Sequence, residues 1–360
     1  MIPLQTNDIS IDWLNTVLVN SSDVGQIDGV TIESMGEGVG ILGELSRIHL
    51  TYAGGHSGPA TMVAKCQSKF PENVFISELM GFYTREVNFY NQLSSTLTLR
   101  VPHCYFADAT PSGAPFVLLL EEITGARMID QVAGATLEDC HSIADVAATL
   151  HSTYWESPAL YELQWLPPWN NDGYKAAKAL AQGKLASFEA TWASRVPADA
   201  MGWMHPFTDR YPDILDWWVA QGNVTLAHTD YRAENFLFGG SAGEGVVTLL
   251  DFQLMTRHVG VWDIANFLGA SVTVENRRQW ESSVLDRYHS RLIDAGVTGY
   301  SKDRCIRDYR YCTLQQAWAQ IPISGVDPAN DRGRALLDAM ITRSFQSASD
   351  NAAGDMLELL

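Results

Sequence analysis

Four residues in the stretch HTDYRAEN, residues 228–235, are of types that do chemistry together: His228, Asp230, Arg232 and Asn235. Further on, a second aspartate, Asp251, opens the string DFQ. Each carboxylate follows a short apolar run, Val224–Ala227 and residues 246–250, so both are expected at strand ends. Between them, FLF and the glycine-rich GGSAGEG read as a hairpin that folds Asp251 back over the first loop. Two carboxylates, an amide and a guanidinium gathered at one point would hold Mg²⁺, orient an acceptor hydroxyl and neutralise a phosphoryl group. Those are the requirements of phosphoryl transfer from ATP.

Such a site needs a scaffold and a cation for the nucleotide. VTIESM and LSRIHLTYA alternate like strands around a turn that holds Gly36, Gly38, Gly40 and Gly43, and TMVAKCQ, with Lys65 near its end, is a further strand. In GFYTREVNFYNQL, helical spacing puts Phe82, Tyr83, Phe89, Tyr90 and Leu93 on one face with Glu86 in its middle, and Thr84, Asn88, Asn91 and Gln92 opposite. A carboxylate in the centre of a buried face is costly unless paired, and Lys65 is its expected partner. The glycines at 38, 40 and 43 fit G-x-G-x-x-G, which also occurs in dinucleotide-binding folds. There a helix follows directly, whereas the residues after Gly43 alternate like a strand.

HTDYRAEN followed by LLDFQ resembles the catalytic and metal-binding loops of the kinase-like phosphotransferases, a superfamily that includes aminoglycoside phosphotransferases, choline kinases and ecdysteroid-kinase-like enzymes. The resemblance implies an α+β, two-lobe protein-kinase-like fold: a small antiparallel-sheet lobe with one key helix over residues 1–123, and a mainly helical lobe over 124–360 that carries the catalytic and metal loops. It implies that Asp230 orients the acceptor and takes its proton, that Arg232 touches the γ-phosphate, and that Asn235 and Asp251 bind Mg²⁺. Gly36, Gly38, Gly40 and Gly43 would cover the phosphates of ATP, the Lys65–Glu86 pair would position them, and Glu121, Glu122 and Ile123, in LLLEEI, would meet adenine. His151, in ATLH, reads as a structural histidine, His228 as a scaffold, and Asp263, in VWDIANFL, as a brace for the catalytic loop. Two departures stand out. DFQ replaces the D-F-G of protein kinases, a change familiar from the ecdysteroid-kinase-like group, and Thr229 stands where glycine is common. The short run from Asp251 to Asp263 leaves no room for a peptide-docking segment, which implies a small-molecule hydroxyl acceptor.

The rest of the chain is read from composition and pattern. A formal net charge of −18 disfavours nucleic acid and anionic membrane surfaces as partners. The N-terminus lacks the pattern of a signal peptide, no apolar run is long enough to span a membrane, and the five cysteines form no C-x-x-C pair, so a cytoplasmic protein with free thiols is expected. Helices are expected at ISIDWLNTVL with Ser10 among its caps, at TLEDCHSIADVAATLHSTYW with Thr136 as cap, in two stretches over residues 156–223, and three times beyond residue 272. Of 11 tryptophans only Trp13 precedes residue 155; the others are either helical core or walls of an acceptor pocket. The acceptor expected from DFQ is of ecdysteroid or hydroxyacyl type, with an aminoglycoside or choline-type alcohol as the alternative. A nucleotide-binding pseudokinase, a dinucleotide-dependent oxidoreductase and a metal hydrolase using His228, Asp230 and His258 are the rivals from other classes.

Overall fold

The computed structural model describes residues 1–35, 42–326 and 330–359. In chain order the elements are α1 (Ile11–Val17), β1 (Ile27–Ser34), β2 (Gly43–Tyr52), β3 (Thr61–Gln67), α2 (Pro71–Met80), α3 (Phe82–Asn88), β4 (Cys104–Ala109), β5 (Phe116–Glu121) and β6 (Ala126–Met128). There follow α4 (Leu137–Thr153), α5 (Ala159–Glu162), α6 (Asp172–Trp192), α7 (Ala200–Ala220), β7 (Val224–Ala227), β8 (Phe236–Gly239), β9 (Val247–Leu249) and β10 (Thr256–Val259). Four helices finish the chain: α8 (Val261–Ser271), α9 (Val274–Asp294), α10 (Lys302–Ile323) and α11 (Asp331–Asp350). The architecture is α+β, with an antiparallel sheet in the N-terminal part and helices in the C-terminal part. Two compact units result: residues 1–126 with 238–254, and residues 127–237 with 255–360.

The first unit is built on a five-stranded sheet of order β1-β2-β3-β5-β4, antiparallel throughout. Gly43 opens a strand and not a helix, so the geometry a dinucleotide-binding glycine turn requires is not met there. Phe116 to Leu120 of β5 are all buried, as a strand covered on both faces demands, and α1 lays Leu14 and Leu18 against Ile48, Met62 and Leu119. Ser10 caps α1 by accepting from the Trp13 amide. Helix α2, not foreseen in the sequence, ends at Gly81, whose left-handed φ of 68° lets the chain turn and start α3 at once. α3 then passes into a single π-helical turn, Phe89–Leu93.

Residues 238–254 join this unit through a close backbone approach. A Cβ on Gly240 would stand 2.4 Å from the Thr124 carbonyl oxygen, and its φ of 67° is left-handed as well, so only glycine fits. Beside it the Ser241 amide donates to the Thr124 carbonyl and the Thr124 amide to Ser241 Oγ, while the Leu249 amide donates to the Arg100 carbonyl. Asp251 therefore packs with the sheet-bearing unit, and not with the helical one in which the 124–360 division put it. The β8–β9 hairpin forms where the sequence put it.

In the second unit β7 pairs antiparallel with β10, Ala227 opposite Thr256. Tyr211 of α7 stacks on Trp318 of α10 at 3.8 Å, and Trp218 stacks on Tyr311 at the same spacing. Trp169, Trp192, Trp203, Trp218, Trp262 and Trp318 are all buried, which makes them core. α7 runs unbroken from Ala200 through Pro206 and Pro212, starting well before the stretch that the sequence pattern marked. Among the described residues no helix is long and apolar enough to cross a membrane.

Helix α4, which ends near His151, begins with a capping box: Thr136 accepts from the Asp139 amide and Asp139 accepts from the Thr136 amide. Thr136→Ala is expected to destabilise the second unit by about 1 kcal/mol, read as a lower urea midpoint at unchanged slope.

Candidate active site

In the first unit the predicted ion pair is present. Lys65, on β3 between Leu45 of β2 and Leu118 of β5, places its Nζ 2.7 Å from Glu86 Oε2 and 3.1 Å from Asp251 Oδ1. Glu86 is 1% exposed in the middle of the stripe formed by Phe82, Tyr83, Phe89, Tyr90 and Leu93, all buried. Burial works to lower the Lys65 pKa, but the carboxylates of Asp251 and Glu86 hold it above the usual lysine range. The Glu86 pKa is raised as well: burial pushes it up to about 6, with the Asp251 charge adding to the rise and Lys65 opposing it. One cation shared by two carboxylates accounts for both shifts: two negative charges keep the ammonium protonated, and its one charge does not offset the burial of Glu86 beside Asp251.

Gly43 lies against this lysine, since a Cβ there would come within 3.3 Å of Lys65 Cε. Gly36, Gly38 and Gly40 lie outside the described residues. Glu121 is engaged on two sides: its carboxylate accepts from Arg100 at 2.6 Å and its amide donates to the His103 carbonyl at 2.8 Å. That amide is thus not available to a nucleotide. Glu122 pairs with Arg47 at 2.6 Å, and Glu122 and Ile123 continue past the end of β5.

In the second unit the residues at the start of HTDYRAEN are gathered around a different buried charge. Asp263, on α8 and fully buried, accepts from the His228 amide (2.8 Å), the Thr229 amide (2.8 Å) and His151 Nε2 (3.0 Å). The Tyr288 hydroxyl lies 2.8 Å from His151 Nδ1, and Gly260 is tightly packed against both rings. Thr229 has a φ of +64°, the left-handed conformation that explains why glycine suits this position. For a residue with a side chain that conformation costs roughly 1–2 kcal/mol. The Asp263 bond to its amide and the Trp262 and Asn266 bonds to its carbonyl hold it there.

Asp230 follows. Its Oδ2 accepts from Asn235 Nδ2 at 3.0 Å, its carbonyl accepts from the same nitrogen at 2.7 Å, and Arg232 Nε stands 3.4 Å from Oδ1. Arg232 also pairs with Glu234 at 2.6 Å and donates to Gln131, so its guanidinium is held among side chains of its own unit. With Asn235 Nδ2 committed to Asp230, the amide oxygen accepts no hydrogen bond among the described residues, and an amide oxygen is a hard ligand of the kind a Mg²⁺ ion takes. Asp251 supplies a carboxylate about one quarter exposed, also suited to a hard cation.

The metal-hydrolase reading finds no support. Among the described residues no three His, Cys, Asp or Glu side chains converge as a ligand set. His258 is buried against Trp169 and Trp262, and burial lowers its pKa to about 3, so it stays neutral.

Several residues of the site escaped the sequence reading. Phe252 stacks on Phe89 at 3.6 Å, with ring planes 10° apart. Arg85, 2% exposed, donates to the Gln253 and Met80 carbonyls, and Gln253 Nε2 donates to Asp251 Oδ2 at 3.3 Å. The Tyr83 hydroxyl bridges the Ser68 amide and the Leu42 carbonyl. DFQ was visible as a departure from D-F-G, and it was the one available signal for Gln253.

The shared cation yields a pH prediction. Glu86 has a folded pKa of about 6 against an ordinary 4.5, so its contribution to stability is complete below pH 4.5 and is lost as pH rises through 6. Lys65→Met removes the one opposing charge and raises Glu86 further. Relative to wild type, the variant is expected to lose several kcal/mol at pH 8 and much less at pH 5.5, measured by thermal unfolding in matched buffers. An equal loss at both pH values would contradict the shared-cation account.

Solved structures share this fold at low identity. A choline kinase from Cryptosporidium parvum Iowa II superposes with a TM-score of 0.54 at 10% identity, over 97% of this chain and 95% of that one. The GDP complex of wild-type aminoglycoside 2'-phosphotransferase-IIIa gives a TM-score of 0.51 at 14% identity, over 94% of this chain and 97% of that one. A Plasmodium vivax ethanolamine kinase gives 0.50 at 11% identity, over 89% and 83%. At these identities the likeness concerns the fold, which is kinase-like. A comparison with curated protein sequences finds no match. The sequence model of one family, the ecdysteroid kinase-like family, matches residues 37–297. That match spans well over half of the chain, and the protein belongs to the ecdysteroid kinase-like family.

Proposed function

We propose that the protein is a small-molecule kinase that transfers the γ-phosphoryl group of ATP to a hydroxyl of a partly apolar acceptor, of ecdysteroid or hydroxyacyl type. The observation that carries this reading is the buried Lys65 ammonium bonded at once to Glu86 and Asp251. A pair of this kind in a kinase-like fold is what positions the phosphates of ATP.

In the proposed reaction Lys65 binds the α- and β-phosphates, with Glu86 fixing the direction of its side chain. Asn235, through its free amide oxygen, and Asp251, through its carboxylate, hold Mg²⁺. When bound, the ion screens the charge of the phosphate oxygens. Asp230 accepts a hydrogen bond from the acceptor hydroxyl and takes its proton as the oxygen attacks phosphorus; the bond from phosphorus to the β,γ-bridging oxygen breaks, ADP is the leaving group and the proton stays on the Asp230 carboxyl. Asn235 and Arg232 hold the Asp230 side chain from two sides. Arg232, which already has carboxylate partners, orients Asp230 and approaches the γ-phosphate as its second role.

Asp230→Ala is expected to lower turnover at least about 100-fold, as loss of a general base does, while Mg·ATP affinity by calorimetry stays at the wild-type value. The acceptor is to be found by ATP consumption across sterols, hydroxy acids and their CoA esters, amino alcohols and aminoglycosides. Unchanged turnover of the variant on an acceptor the wild type uses would overturn the assigned role. Thermal stabilisation by NAD(P)H and not by Mg·ATP would overturn the reading as a whole.

A further inference from the structure

Three consecutive residues of the first unit, Asp251, Phe252 and Gln253, are each tied to the helix that carries Glu86. Asp251 reaches Glu86 through Lys65. Phe252 stacks on Phe89 and meets Tyr90 edge-on. The Gln253 carbonyl accepts from Arg85 Nη1 at 3.2 Å, and Arg85 immediately precedes Glu86. The side chain of Gln253 turns back on its own loop, with Nε2 donating to Asp251 Oδ2, while Lys65 Nζ takes Oδ1. Each oxygen of the Asp251 carboxylate thus has its own N–H donor, and its plane is fixed from both ends.

From this geometry we infer that Gln253 is a positioning residue for the metal-ligating carboxylate of Asp251, a role that rests on the kinase reading above. Gln253 is 6% exposed, and its buried Oε1 accepts no hydrogen bond among the described residues. A buried acceptor left unpaired costs free energy, so a residue present for stability alone is poorly explained here. Its donor bond to Asp251 supplies the explanation. A neutral amide also suits the task better than a charged donor. An arginine or lysine at 253 would orient the carboxylate but cancel the charge that attracts a divalent cation. A glycine, the residue of protein kinases, would orient nothing and would add backbone freedom next to Asp251, which already sits at a φ of +63°. Groups that orient a metal ligand from behind typically govern affinity 10- to 100-fold.

The test uses the full chain with ADP as nucleotide and follows melting temperature as Mg²⁺ is titrated, with Mn²⁺ binding by electron paramagnetic resonance as a second readout. Gln253→Met keeps the volume and removes the donor. It is expected to raise the Mg²⁺ concentration at half-maximal ADP-dependent stabilisation about tenfold and to weaken Mn²⁺ binding in parallel. Gln253→Asn, which keeps an amide one methylene short, is expected to shift the same midpoint less, and it carries the test if the Met variant does not fold. Thr136→Ala serves as the control, with a lower melting temperature and an unmoved Mg²⁺ midpoint. If both Gln253 variants keep the wild-type midpoint, Gln253 is structural and the inference fails alone. If the wild type shows no Mg²⁺-dependent stabilisation by ADP, the kinase reading falls and takes this inference with it.

Discussion

A buried ammonium must find negative charge, and in this protein Lys65 finds it twice. Leaving such a group unpaired would cost several kcal/mol, so wherever Lys65 sits, carboxylates have to follow. Glu86 comes from α3, and Asp251 comes from a loop after β9, far along the chain. The shared cation is therefore a folding constraint. It fixes the rotation of α3, which must turn Glu86 inward among aromatic rings, and it helps bring residues 238–254 into the sheet-bearing unit. The close fit of Gly240 against Thr124 works in the same direction by backbone shape, where Lys65 works by charge.

The helical unit solves a similar problem with the opposite sign. Asp263 is a fully buried carboxylate, and its partners are two backbone amides and a histidine. Amide donors satisfy a carboxylate without bringing a second full charge into the interior. They also come from the two residues directly before Asp230, so satisfying the buried charge also fixes the start of that loop. His151 is held on its other side by Tyr288.

The sequence disclosed those parts of the site that depend on local pattern and on the cost of burying charge. Glu86 in an apolar helical stripe demanded a cation, and the strand lysine was the nearest candidate. The order of strands and most helices followed from alternation and from caps such as Ser10 and Thr136. What stayed hidden has identifiable causes. Helix α2 exposes Phe75 and Leu79, so its apolar residues mark no inward face. The π turn at Phe89–Leu93 buries the same stripe as an α-helix would, and periodicity does not separate the two. The membership of residues 238–254 depends on a tertiary approach at Gly240, and in the sequence that glycine looked like any other turn residue. Glu121 was assigned from the resemblance of LLLEEI; its amide donates to His103, which only the register of neighbouring backbone reveals.

Thr229 and Asp251 show why side-chain partners near the site were the hardest feature to read. Both are residues with side chains in the left-handed conformation, at φ of +64° and +63°. Helix and strand patterns carry no signal for such a backbone, and a left-handed residue redirects the chain on either side of it. Gln253 reaches back to Asp251 Oδ2 across a backbone turned in that way. The conformational cost at each position, roughly 1–2 kcal/mol, is offset by bonds that would not form in an extended chain: Asp263, Trp262 and Asn266 at Thr229, and Lys65 and Gln253 at Asp251. A glycine would remove the cost and also the restraint. Each of the two strained residues is held by hydrogen bonds from its own unit, so the backbone on either side of it keeps one course.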